Sequence, residues 1–117
     1  MRSKLFVPGS RPELFEKALN SQADGLSFDL EDAVAASKKD EARLSLKAWM
    51  QLPEVCNSAK VIIVRVNAMD TAYFEQDIAQ VVQPGLNMIN LPKPDSAQAV
   101  LEAIALIEQA EQKNGVN

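Results

Sequence analysis

Four short apolar runs, each followed by a longer stretch of helical periodicity, constrain this chain more than any other feature. Residues 4–8 (Lys-Leu-Phe-Val-Pro) read as a first strand. Behind them Ser10-Arg11-Pro12-Glu13 has the pattern of a capping box with proline in the first turn. Leu14, Phe15, Ala18 and Leu19 give the following helix an apolar face, and Ala23-Asp24-Gly25 breaks it. Residues 26–30 (Leu-Ser-Phe-Asp-Leu) read as a second strand, and Ser37 can cap a second helix carrying Ala42, Leu46 and Trp49 on one face, with Pro53 at its end. Residues 60–66 are β-branched and nearly continuous, as suits a buried parallel strand. Phe74, Ile78, Val81 and Val82 mark a third helix, residues 87–92 a fourth strand, and Val100, Ile104 and Ile107 the inner face of a fourth helix from about Asp95 to Lys113, which Asn114-Gly115 ends.

The order βαβαβαβα predicts an α/β fold of parallel units joined by right-handed crossovers. Four units are half of an eight-unit barrel, whose usual length is roughly 250 residues. The 117 residues therefore match half of such a barrel. An open flavodoxin-like sheet fits the same order of elements.

Composition narrows the chemistry. The chain is 47% hydrophobic and 24% charged, as a folded globular protein is, and its net charge of -4 without a basic run argues against nucleic acid as a partner. Its apolar runs are too short to span a membrane or to form the apolar region of a signal peptide. The single cysteine, Cys56, excludes an internal disulfide, and a cytoplasmic location is the expectation. Histidine is absent, which removes Ser-His-Asp and Cys-His catalysis and His-ligated zinc from within this chain. A metal would need oxygen ligands, as magnesium, manganese and calcium do.

In either architecture ligands bind at the C-terminal ends of the strands. Asp29-Leu30-Glu31-Asp32 ends the second strand, with Asp29 and Glu31 on the face opposite Phe28 and Leu30. Such acids can serve a catalytic or metal-associated role, or can cap the next helix and satisfy loop amides. Arg65-Val66-Asn67 ends the third strand, and alternation places Asn67 on the face of Arg65. An arginine at the end of an apolar strand needs a carboxylate partner. Asp29 or Glu31 can supply it as a structural ion pair, a substrate can supply it functionally, and the two can coexist. Lys93, between prolines, is a Schiff-base candidate only if buried and otherwise a solvated loop residue. Gly9-Ser10-Arg11 offers weak signs of an anion site, without a phosphate-loop pattern.

These same segments resemble a known family. Arg2-Ser3-Lys4-Leu5-Phe6-Val7-Pro8-Gly9 is similar to the opening motif of the HpcH/HpaI aldolase and citrate lyase beta-subunit family. Phe28-Asp29-Leu30-Glu31-Asp32-Ala33-Val34 resembles its acidic motif, which Lys39 through Ala42-Arg43 continue, and Val64-Arg65-Val66-Asn67 and Leu91-Pro92-Lys93 resemble its third and fourth strand ends. The resemblance implies that residues 1–117 are the N-terminal half of a TIM (β/α)8 barrel in a longer chain, a magnesium-dependent enzyme that cleaves short 3-hydroxy acids, often as coenzyme A or acyl-carrier thioesters such as citryl, malyl or citramalyl thioesters, and that assembles as a homo-oligomer, a trimer or hexamer. It implies that Arg65 binds substrate and acts in catalysis, that Glu31 and Asp32 are catalytic acids near the metal, and that Arg2 and Ser3 lie where the thioester carrier approaches. Asn67 joins Arg65 as a substrate-binding candidate. The family's direct Mg2+ ligands come from later strands, so none is expected among these residues. The alternatives are a non-catalytic flavodoxin-like or half-barrel binding module, and an aldolase of the same family acting on free keto acids.

Overall fold

The structure, a computed structural model, describes residues 3–31, 34–68, 71–92 and 97–115. Strand β1 (Lys4–Pro8) leads through a 3-10 turn (Pro12–Leu14) into helix α1 (Phe15–Leu19). Strand β2 (Gly25–Asp29) is followed by a 3-10 turn (Ala36–Lys38), helix α2 (Lys39–Met50) and a short helix α3 (Pro53–Cys56). Strand β3 (Val61–Arg65), helix α4 (Phe74–Val81), strand β4 (Met88–Asn90) and helix α5 (Ala97–Asn114) complete it.

The strands are parallel and stand in the order β1-β2-β3-β4. Sequential order separates the two candidate architectures. A flavodoxin-like sheet reverses its winding at a switch point and carries helices on both faces, whereas a barrel winds in one sense with every helix outside. Here the core joins Val7, Leu26, Phe28, Ile62 and Val64 from one face of the sheet to Phe15, Leu46, Ile78 and Ala103 from the helices. All the helices therefore cover the same face, and the sheet is an arc of a barrel. Phe6, Ser27, Ile63 and Met88 lie in register across the other face. Phe6 is 69% exposed there and Met88 53%.

Local chemistry explains the ends of the elements. Ser10 and Ser37 form no capping bond: a 3-10 turn opens each segment, and Pro12 and Ala36 begin those turns. Glu13 pairs with Arg11 instead, and this hydrogen-bonded guanidinium holds the exposed Glu13 carboxyl below its usual pKa. Pro53 does more than stop α2, because it opens α3 at a position where its missing N–H costs nothing. Just before β4 the pairing with β3 is carried by Asn87, whose N–H donates to Ile62 O at 2.9 Å and whose Oδ1 accepts the N–H of Ile62 at 2.7 Å. α5 ends where Gly115 takes a left-handed φ of 74°. Among the described residues, no helix is long and apolar enough to cross a membrane.

Candidate functional site

The last pairs of the ladder, Pro8 with Asp29, Asp29 with Arg65, and Arg65 with Asn90, form one layer at the C-terminal end of the open face. Arg65 lies across this layer onto β2. Its Nε donates to Asp29 Oδ1 at 3.0 Å and its Nη2 to Asp29 Oδ2 at 2.6 Å. Two parallel bonds to one carboxylate fix the plane of the guanidinium as well as its position. Asp29 Oδ1 also accepts the N–H of Glu31 at 2.8 Å, so the same carboxylate shapes the turn that carries Glu31. The Glu31 carboxylate stands 3.7 Å from Arg65 Nε. The Arg65 side chain keeps 33% of its surface exposed, against 14% for Asp29 and 21% for Glu31.

Arg65, Asp29, Phe6, Pro8, Ser27 and Asn90 line a concavity of about 230 Å3. It lies on the open face of the arc, at the end of the sheet where barrels bind their ligands. A guanidinium oriented in this way over an apolar floor can receive a small carboxylate.

Main-chain bonds lock this end of the sheet. Gly9 N–H donates to Asp29 O at 2.8 Å, and Leu30 N–H to Arg65 O at 2.9 Å. A Cβ on Gly9 would stand 2.8 Å from Leu30 Cδ2 and 2.9 Å from Asp29 O. The need for glycine here is a need for space. Gly9→Ala is expected to cost about 1–3 kcal/mol, the usual penalty of overpacking, because Leu30 is buried and Asp29 O is main chain. Chemical denaturation would measure it, and a loss below about 0.5 kcal/mol would mean that this crossing relaxes freely.

The remaining candidates are placed as follows. Arg65 and Glu31 come together. Asn67 does not join them, because β3 ends at Arg65 and strand alternation ends with it. Asn67 is 2% exposed and turns toward the helices. Its Nδ2 donates to Asp77 Oδ2 at 2.6 Å and its Oδ1 accepts from Lys39 Nζ at 2.6 Å. Ser3 precedes β1, at the far end of the sheet from Arg65, where its Oγ accepts the N–H of Asp24 at 3.1 Å. Arg2, Asp32 and Lys93 lie outside the described residues. Arg11 faces Glu13, and the α-helix behind Gly9 is only five residues long, so the anion site suggested for that turn finds no further support.

Sequence reasoning did not single out the buried polar seam behind this layer. Lys39, Arg43, Asn67 and Asp77 are all buried. Asp77 Oδ1 accepts from Arg43 Nε at 2.8 Å, and Asp77 Oδ2 accepts the main-chain N–H of Asn67 at 2.9 Å. Asp77, a buried acid among apolar helix positions, was the available signal.

The donor set does not fit a metal ion by itself. Asp29 and Glu31 are both engaged by Arg65, and no group of three or more ligand-type side chains is present among the described residues.

Three comparisons bear on this geometry. The profile of the HpcH/HpaI aldolase/citrate lyase family matches residues 2–117. Citrate lyase subunit beta of Leuconostoc mesenteroides subsp. cremoris is 37% identical over 114 residues, covering 97% of this chain and 37% of the relative. An L-malyl-CoA/beta-methylmalyl-CoA lyase of Cereibacter sphaeroides is 36% identical, covering 97% of this chain and 36% of the relative. The chain thus spans little more than a third of the length of the relatives it matches. The solved citrate lyase beta subunit of Mycobacterium tuberculosis, complexed with oxaloacetate and magnesium, superposes with a TM-score of 0.64 at 36% identity, over 85% of this chain and 41% of that one.

Proposed function

The chain belongs to the HpcH/HpaI aldolase/citrate lyase family, and on that premise we propose that its Asp29–Arg65 layer is the acid-binding wall of a magnesium-dependent carbon–carbon lyase. The substrate is a 3-hydroxy acid thioester of the citryl, malyl or citramalyl class. The products are a keto acid and an acyl thioester. The observation that carries the reading is the Arg65 guanidinium, held in one orientation by Asp29 and one-third exposed over the concavity on the open face of the sheet.

In the reaction the hydroxyl gives up its proton as the carbon–carbon bond breaks, and its carbon becomes the keto carbon. The bonding electron pair passes to the carbon next to the thioester, which then takes up a proton. Arg65 binds the carboxylate of the fragment that becomes the keto acid and holds it in one plane. Asp29 positions Arg65. Glu31 borders the same layer as the second catalytic group, and Asp32 follows it in sequence. Asn67 supports this layer from behind rather than touching substrate.

A magnesium ion would act beside this layer as a Lewis acid. Since the described residues offer no direct ligand set, its ligands are expected from outside them.

The test is cleavage of citryl-, malyl- and citramalyl-CoA by the full-length protein, with and without magnesium, beside Arg65→Ala and Arg65→Lys. Arg65→Ala is expected to fold normally, because the side chain is at the rim. It should lose about 2–3 kcal/mol of transition-state binding, roughly 30- to 150-fold in kcat/KM. Arg65→Lys should recover only part of that, since an ammonium cannot reproduce the two-pronged bond. Near-normal turnover by Arg65→Ala would sink the role. Turnover of free hydroxy acids without thioesters would move the protein to the free-acid aldolase reading.

A further inference from the structure

Behind the site, one buried ammonium joins the two turns that carry it. Lys39 opens α2, and its side chain passes beneath the turn after β2. Its Nζ donates to Leu30 O at 2.9 Å, Glu31 O at 2.9 Å and Asn67 Oδ1 at 2.6 Å. The ring of Tyr73, just before α4, lies 5.3 Å from the same nitrogen. The residue is 9% exposed.

This placement is unusual for a lysine that serves only the fold. A buried ammonium is costly to desolvate, and here its hydrogen-bond acceptors are neutral. All three of its protons are used, and they reach two different strand ends: Leu30 and Glu31 follow β2, and Asn67 follows β3. Asn67 is in turn fixed by Asp77, and Asp77 by Arg43. The chain of bonds therefore runs from the main chain of Glu31 to α4 and back to α2.

We propose that Lys39 is a positioning residue, whose ammonium holds the Leu30–Glu31 turn against Asn67 so that Glu31 and Arg65 present a single site. The inference deepens the lyase reading and rests on it for its catalytic part. Lys39 touches no substrate. It acts through the main chain of Glu31, so its loss should let the acidic turn move while the sheet stays intact. A misplacement of about 1 Å in such a site lowers turnover by on the order of a hundredfold.

The experiment compares wild type and Lys39→Met in the full-length protein by site-resolved amide exchange and by kinetics. Exchange at Leu30, Glu31 and Val34 should rise tenfold or more on the order expected for local opening, while Ile63 and Val64 stay protected. With thioester substrate, kcat should fall about tenfold to a hundredfold with KM unchanged within about twofold. Exchange and kcat both unchanged would overturn the proposal, and so would faster exchange spread evenly over the sheet. Should Lys39→Met fail to fold, Asn67→Ala removes one acceptor of the same ammonium but keeps the main-chain bond to Asp77, and the same criteria apply. The exchange arm needs no activity. A wild-type protein that cleaves no thioester would sink the lyase reading, and exchange would still decide whether Lys39 holds the turn.

Discussion

Asp77→Ala is expected to destabilise the protein by about 3–5 kcal/mol, the cost of breaking a buried ion pair from one side. The Asp77 side chain is 1% exposed and that of Arg43 is 6% exposed. Asp77 accepts from Arg43 Nε, from the main-chain N–H of Asn67 and from Asn67 Nδ2. Removal leaves one buried cation and two buried donors short of an acceptor. It also takes an anion from the first turn of α4, where the helix dipole favours it. Arg43 has little in reserve: its Nη1 reaches Asp40 at 2.8 Å, but its Nη2 has no partner among the described residues.

The double variant Arg43→Met/Asp77→Leu separates the value of the pair from the penalty of breaking it. Replacing both partners of an ion pair with apolar groups is often neutral, so the double variant should recover the part of the loss that comes from the unpaired Arg43, while the main-chain N–H and Nδ2 of Asn67 still lack their acceptor. Asp77→Asn should fall between, since an amide keeps the shape and loses the charge. Denaturant midpoints at constant slope would measure all three. A loss under about 1 kcal/mol for Asp77→Ala would place the seam in contact with water, where ion pairs contribute little.

Which parts of this arrangement were legible in the sequence follows from the range over which each signal acts. Strands β1 and β3 stand within a residue of their expected bounds, because β-branched runs and turn residues act locally. The meeting of Asp29 with Arg65 was legible too. Both sit at strand ends on one face, and a parallel ladder in register brings strand ends together. Barrel winding was not separable from a flavodoxin-like sheet, since element order says nothing about which face each helix covers. The seam of Lys39, Asn67, Asp77 and Arg43 lay further out of reach. Its bonds link residues 28 and 34 positions apart, and no periodicity marks such distances. Asn67 was misplaced for a local reason: alternation was carried past Arg65, where the strand had ended.

Phe28→Ala tests the other support of the site, the apolar layer beneath it. Phe28 is fully buried near the C-terminal end of β2, between Val7 and Val64 in the register. Its ring stands edge-on to Phe15 at 5.1 Å between centroids and tilted against Trp49 at 4.9 Å. These rings bind α1 and α2 to the sheet, and Asp29 is the next residue along the strand. Truncation to alanine removes the ring and leaves a cavity that three elements would have to close together, so a loss of about 3–5 kcal/mol is expected. Phe28→Leu keeps most of the volume and should cost less than about 1.5 kcal/mol. If packing also sets the direction of Asp29, the leucine variant should keep its affinity for substrate, while the alanine variant, assayed where it is still folded, should lose it. A loss of stability near 1 kcal/mol for Phe28→Ala would mean that the rings of Phe15 and Trp49 collapse into the space. Equal substrate affinity in both variants would mean that Asp29 is held by its own bonds to Arg65, Glu31 and Gly9, and that the aromatic layer serves stability alone.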